Sequence, residues 1–188
     1  MEEEMIGAIK IKDGLFIGDS FAAKDLEFVV ANKVTKIINC SGRQVQNQWT
    51  NIGVQYLTFH WLDEENQVLF DPMDKTTNEI FAFVEEAMTE YDSVLIHSVR
   101  GQSRASCVIA TYLMRKYRWS LLKTLEFLNS RRPDLEIRAT FIKQLSEYES
   151  RLKKRSIGPK TSKWDEIADE NKFLESDELM LRNTFLNA

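Results

Sequence analysis

A chain of 188 residues, 43% apolar and 11% aromatic, is long enough for one domain with a buried core and too apolar to stay unfolded throughout. Its net charge of -4 argues against a general binder of nucleic acid or of anionic membrane surfaces. Two cysteines are too few for a disulfide framework, the acidic start MEEEMIG lacks a secretion signal, and no apolar run is long enough to cross a bilayer, so a cytoplasmic or nuclear protein is expected.

In chain order, residues 14–18 (GLFIG) read as a short strand between glycines. Residues 21–32 read as one helix with Leu26, Val29 and Val30 on its apolar face. The β-branched run at 34–39 (VTKIIN) predicts a strand stopped by the turn formers Cys40, Ser41 and Gly42. Residues 54–62 (VQYLTFHWL) predict another strand, ending at Asp63-Glu64-Glu65. Helical periodicity follows at 78–91 through Ile80, Phe83, Val84, Ala87 and Met88. The apolar run at 93–97 (SVLIH) has the pattern of a strand covered on both faces. Helices are expected at about 103–117, at 121–130 up to the stop at Arg131-Arg132-Pro133, and at 139–152. Strands alternating with helices mean an α/β fold.

The joint between the 93–97 strand and the next helix carries the chemistry. A loop whose N–H groups converge, followed by the positive end of a helix, is an anion site on physical grounds alone. Gly101 permits a bend that a side chain would obstruct. Arg104, in the first helical turn, can turn its guanidinium fork onto two oxygens of a phosphate. A lone glycine and arginine would equally suit an ordinary strand–helix joint, so the residues between them decide.

His97-Ser98-Val99-Arg100-Gly101-Gln102-Ser103-Arg104 resembles the HCxxGxSR signature of dual-specificity phosphatases, a branch of the cysteine-based protein tyrosine phosphatase superfamily, at every fixed position except the cysteine. The resemblance runs over roughly residues 8–152, through LFIG, INCSG, RRPD and FIKQLSEYE. It implies a central mixed, mostly parallel sheet of about five strands flanked by helices, within a catalytic domain spanning residues 1–155. It also implies a protein phosphatase acting on phosphotyrosine and on phosphoserine or phosphothreonine through a phosphocysteine intermediate. Phosphorylated proteins are then the partners, and neither nucleic acid nor membrane is.

By the same resemblance, position 98 is the nucleophile, and Arg104 with the N–H groups of Val99, Arg100, Gly101, Gln102, Ser103 and Arg104 holds the phosphoryl oxygens. Ser103 would hydrogen-bond the nucleophile, and His97 would shape the loop, unless it is only structural. The general acid of the family stands on a loop about thirty residues earlier, where Asp63 is the candidate and Asp71 and Asp74 compete because this loop is longer. The family often has an asparagine before its last helix, bonded to the phosphate loop; Arg138 or a neighbour stands there, so loop support comes from elsewhere or Arg138 serves the substrate. Arg100 either favours an acidic peptide or a second phosphate, or faces solvent. Cys107 is read as packing, and with two histidines and two scattered cysteines no metal or other cofactor is expected.

Serine at position 98 has two readings. It replaces a cysteine in a phosphatase made catalytically dead, or it is the natural residue of a pseudophosphatase that binds phosphoproteins. The presence of Arg104, Ser103, Gly101 and an acid candidate favours the first. The extension at 156–188 holds Trp164, Phe173, Leu174, Leu179, Met180, Leu181, Phe185 and Leu186, and is expected to dock on its own domain or mediate self-association.

Overall fold

The computed structural model describes residues 6–159; the docking expected of the extension falls on residues outside that range. Five strands form one sheet: β1 (Ala8–Lys12), β2 (Leu15–Gly18), β3 (Val34–Asn39), β4 (Gln55–Thr58) and β5 (Ser93–His97), in the order β1-β2-β5-β3-β4. Only β1 is antiparallel, joined to β2 by a turn in which Gly14 adopts φ +80°. The remaining pairings are parallel. The mixed, mostly parallel sheet flanked by helices is thus as expected.

β5 lies at the centre and every one of its residues is buried. Its side chains alternate between two cores, as a pleated strand requires. Val94 and Ile96 join the larger core with α3 (Lys75–Thr89), α4 (Arg104–Tyr117), α5 (Leu121–Arg131) and α6 (Ala139–Lys154). Leu95 joins the smaller one, beneath α1 (Ser20–Lys24) and α2 (Leu26–Ala31). Burying each such aliphatic side chain is worth about 1.5–3 kcal/mol, so the strand that carries the loop is held from both faces.

Two local expectations change, and β1 is an element the sequence reading did not name. The single helix at 21–32 is two, because Asp25 ends α1 and its carboxylate accepts from Phe28 N–H to begin α2. The break turns Leu26 and Val30 outward, leaving Val29 as the buried residue of α2. β4 stops at Thr58, after which the ring of Phe59 stacks on Trp61 at 4.1 Å instead of extending the strand. β1 carries no clean alternation, since the register shift between Lys10 and Lys12 buries Ile11 and Lys12 side by side.

Candidate active site

The C-terminal end of β5 opens into the loop 98–103 and then α4, the place where a parallel sheet presents ligands to helix N-termini. Gly101 takes φ +69°, and a Cβ there would stand 2.5 Å from the Gly18 carbonyl oxygen, so only glycine lets the loop lie against β2. Four further contacts fix the loop's outer side. Ser98 N–H donates to the Gly18 carbonyl at 3.3 Å and Ser20 N–H to the Val99 carbonyl at 3.0 Å. Val99 N–H donates to Ser41 Oγ at 3.1 Å, and Gly101 N–H to Ser98 Oγ at 3.1 Å. No described protein atom accepts from the N–H groups of Gln102, Ser103 or Arg104, which leaves them for an anion.

Ser98 is 2% exposed and lies in a cavity of about 340 Å³ that Val99, Arg100, Gln102, Ser103, Arg104, Asp63, Gln44 and Arg138 also line. Arg104 is buried, and burial lowers its pKa while the nearby Asp63 charge opposes the fall. Its Nη1 donates to the Trp61 carbonyl at 2.9 Å and to Gln44 Oε1 at 3.0 Å. The Nε–Nη2 edge has no partner among the described residues, so the edge that forms a side-on fork is free for two oxygens.

The candidate acids separate by position. Asp63 lines the cavity, and its Oδ1 accepts from Arg138 Nε at 2.6 Å. Asp71 instead caps α3, accepting from Lys75 and Thr76 N–H at 3.0 and 2.8 Å. Those bonds, Thr76's above all, hold its pKa down to about 2. Asp74 is buried against Arg151 at 2.8 Å and Arg155 at 3.7 Å. Neither Asp71 nor Asp74 lines the cavity.

Ser103 Oγ accepts from Arg138 N–H at 3.4 Å, and no bond joins it to Ser98. His97 is 1% exposed, its carbonyl accepts from Cys40 N–H, and burial together with the Arg104 charge lowers its pKa to about 4. The imidazole is therefore neutral at pH 7, and no base is hydrogen-bonded to Ser98. Cys107 sits fully buried in α4 with its thiol pKa pushed well up by burial, which fits packing.

The missing loop support comes from a residue that the sequence reading gave no role. Arg132 donates through Nη1 to the Gly101 carbonyl at 2.7 Å and through Nη2 to the Arg100 carbonyl at 3.0 Å. Its Nε and Nη2 also grip both oxygens of Asp134, at 2.9 and 3.2 Å, and Gln102 Nε2 reaches the same carboxylate at 3.2 Å. Gln44 and Ser41 were likewise missed. The RRPD motif was the available signal for Arg132 and INCSG for Ser41; Gln44 carried none.

Comparison with known proteins agrees with this geometry. Residues 15–151 match the family described as "Dual specificity phosphatase, catalytic domain". A Protein phosphatase Slingshot homolog from Xenopus laevis is 31% identical over 138 residues, covering 73% of this chain and 19% of the relative. The Protein-tyrosine-phosphatase IBR5 of Arabidopsis thaliana is 28% identical over 135 residues, covering 72% of this chain and 48% of that protein. The chain thus spans about a fifth of the Slingshot relative and about half of the other. Among solved structures, human DUSP28 superposes with a TM-score of 0.69 at 29% identity, covering 78% of this chain and 99% of that one. With the family matched over residues 15–151, this chain belongs to the dual-specificity phosphatases of the cysteine-based protein tyrosine phosphatase superfamily.

Proposed function

We propose that this domain receives phosphotyrosine and phosphoserine or phosphothreonine side chains of proteins, and that Ser98 makes the chain a catalytically dead form of a phosphatase whose nucleophile is cysteine. The observation that carries this reading is the free Nε–Nη2 edge of Arg104, beside Ser98 and the unused N–H groups of the loop.

With cysteine at position 98, the loop amides and Arg104 would favour thiolate, as comparable sites lower thiol pKa values to roughly 3.5–7.5. Sulfur would attack phosphorus, the P–O bond to the substrate would break, and Asp63 would give its proton to the departing oxygen. Water would then attack the phosphocysteine, with Asp63 taking back a proton and the sulfur leaving. General acid help of this kind is worth roughly 10²–10⁴-fold. A serine hydroxyl stays protonated here, because its only hydrogen bond among the described residues is accepted from Gly101 N–H and no base relieves it of its proton.

A second reading, a natural phosphoprotein-binding module, is favoured by one feature. Asp63 Oδ1 is tied to Arg138 Nε at 2.6 Å, so that oxygen is engaged before any substrate arrives. Turnover of an aryl phosphate with a chelator present separates the two. Ser98→Cys is expected to hydrolyse it while the chain with serine stays inert, and Asp63→Asn in that background is expected to lower kcat by roughly 10²-fold or more. A Ser98→Cys protein that binds phosphopeptides yet turns over no phosphoester would leave only the binding module.

A further inference from the structure

An apolar groove opens beside the loop 98–103, on the face of the sheet that α1 and α2 cover. The segment leading into β1 forms one wall and the two short helices the other, and Ile6, Ala8, Phe21, Ala22 and Phe28 line a cavity of about 520 Å³. Of the nine large apolar side chains that stand exposed among the described residues, four lie along residues 6–30: Ile6 at 53%, Phe21 at 63%, Leu26 at 43% and Val30 at 65%. Singly exposed apolar residues are ordinary, but Ile6 and Phe21 stand on the two walls of one groove. A buried carboxylate sets the spacing of those walls. Asp19, 1% exposed, accepts from Gly7 N–H through Oδ2 at 2.8 Å and from Ala22 N–H through Oδ1 at 3.0 Å. One side chain thereby fixes the segment 6–8 to the first turn of α1 before anything binds. Phe28 meets the edge of Phe16 at 5.2 Å, which gives the groove a packed floor. Lys24 and Asp25 close one end with opposite charges, so the groove offers apolar area rather than net charge.

The groove and the cavity at Ser98 share a wall. Val99 lines the cavity, and its carbonyl accepts at 3.0 Å from the N–H of Ser20, the residue that begins α1. Phe21 is next in the chain, so its Cα lies within about 8 Å of that carbonyl. An extended chain advances roughly 3.3–3.6 Å per residue, so a segment leaving the cavity over Val99 reaches Phe21 about two to four residues on. This continuity chooses the occupant. It is the stretch of substrate that carries the phosphorylated side chain, with a large apolar residue entering between Ile6 and Phe21.

We propose that this groove is a substrate subsite, in which Phe21 and Ile6 select a phosphoprotein bearing a leucine-like side chain about two to four residues from the phosphorylated one. This rests on the reading of Ser98–Arg104 as the phosphoryl seat and adds to it a choice of sequence. The rival occupant, a second copy of this chain on the same apolar patch, gives a different result in the following experiment.

The chain with Ser98 does not consume its ligand, so binding can be read at equilibrium by anisotropy. Fluorescent peptides would carry phosphotyrosine in a glycine–serine background, with a single leucine placed two, three or four residues before or after it. At one side and spacing, leucine is expected to tighten binding by about tenfold over the peptide that lacks it. That ratio should fall to near one in Phe21→Ser and in Ile6→Ser, while the urea midpoint stays put because both side chains are already exposed. No gain at any spacing, or a gain that survives either substitution, would overturn the proposal while leaving the phosphoryl seat standing. So would a chain that ignores the leucine, sediments as a dimer and turns monomeric with Phe21→Ser, which gives the patch to a second copy. Phosphotyrosine peptides that all fail to bind, or that inorganic tungstate fails to displace, would overturn both.

Discussion

Arg132 is 3% exposed and spends its donors on two loop carbonyls and one carboxylate, which makes it a positioning residue for the loop 98–103. Arg132→Ala would leave the Gly101 and Arg100 carbonyls without their donors and Asp134 without its counter-charge. Burial alone would raise the Asp134 pKa, but its bonds to Arg132 hold it below the ordinary value. A loss of about 1–3 kcal/mol in urea unfolding is expected. Weaker tungstate binding should accompany it, together with a fall in kcat/KM of roughly 10–100-fold in the Ser98→Cys background. Unchanged tungstate affinity would show that the loop keeps its shape without the clamp. His97 makes a separate, pH-dependent contribution. Its pKa is about 6.5 unfolded and about 4 folded, so the unfolded chain binds the proton first as pH falls. Stability is then full above pH 6.5 and declines towards pH 4, by about 3 kcal/mol at most for this group. Urea midpoints at pH 7.5 and 5 should differ, and His97→Gln should shrink the difference even if it lowers both values.

At the scale of elements, short carboxylates decide where helices begin. Asp25 splits the expected helix into α1 and α2 because its side chain caps Phe28 N–H while its own N–H bonds the Ala22 carbonyl. Asp71 caps α3 from outside the helix, and this explains why α3 starts at Lys75, three residues before its apolar periodicity. Asp71→Ala is expected to cost about 1 kcal/mol of stability while kcat in the Ser98→Cys protein stays unchanged. With its pKa lowered to about 2, the Asp71 contribution is present above pH 4 and is lost as pH falls through 2. A fall in kcat with this variant, and none with Asp63→Asn, would move the general acid from Asp63 to Asp71.

Across the whole molecule, the sheet order puts β5 at the centre, with β2 and β3 on either side, and this brings residues distant in sequence around one loop. Gly18 from β2, Ser41 and Gln44 after β3, and Trp61 and Asp63 after β4 all meet the segment that follows β5. The two cysteines lie in the larger core, both 0% exposed and both with thiol pKa values raised by burial. Neither is expected to react with a thiol reagent in the native chain at neutral pH, and both should react at the rate of unfolding. Ser98→Cys should add a single fast-reacting thiol that phosphate or tungstate protects. Rapid labelling of either buried cysteine would mean that this core opens well below the global unfolding free energy.

The sequence by itself determined the joint at 98–104, because that element is contiguous: an apolar strand, a glycine needed for a left-handed bend and an arginine that opens a helix are set by neighbours along the chain. It equally determined the buried central strand, since five consecutive residues covered on both faces leave a pattern that needs no partner to be read. β1 was not legible, as a register shift and an inward lysine erase the alternation of an edge strand. Nor could residue spacing choose among Asp63, Asp71 and Asp74, which lie within a dozen positions of one another. Only the tertiary structure decided that Asp63 lines the cavity while Asp71 caps a helix and Asp74 pairs with α6. Arg132 meets the Gly101 carbonyl from 31 residues away, and Gln44 accepts from Arg104 across 60. Such meetings depend on strand order and crossover geometry, which no local pattern of side chains encodes.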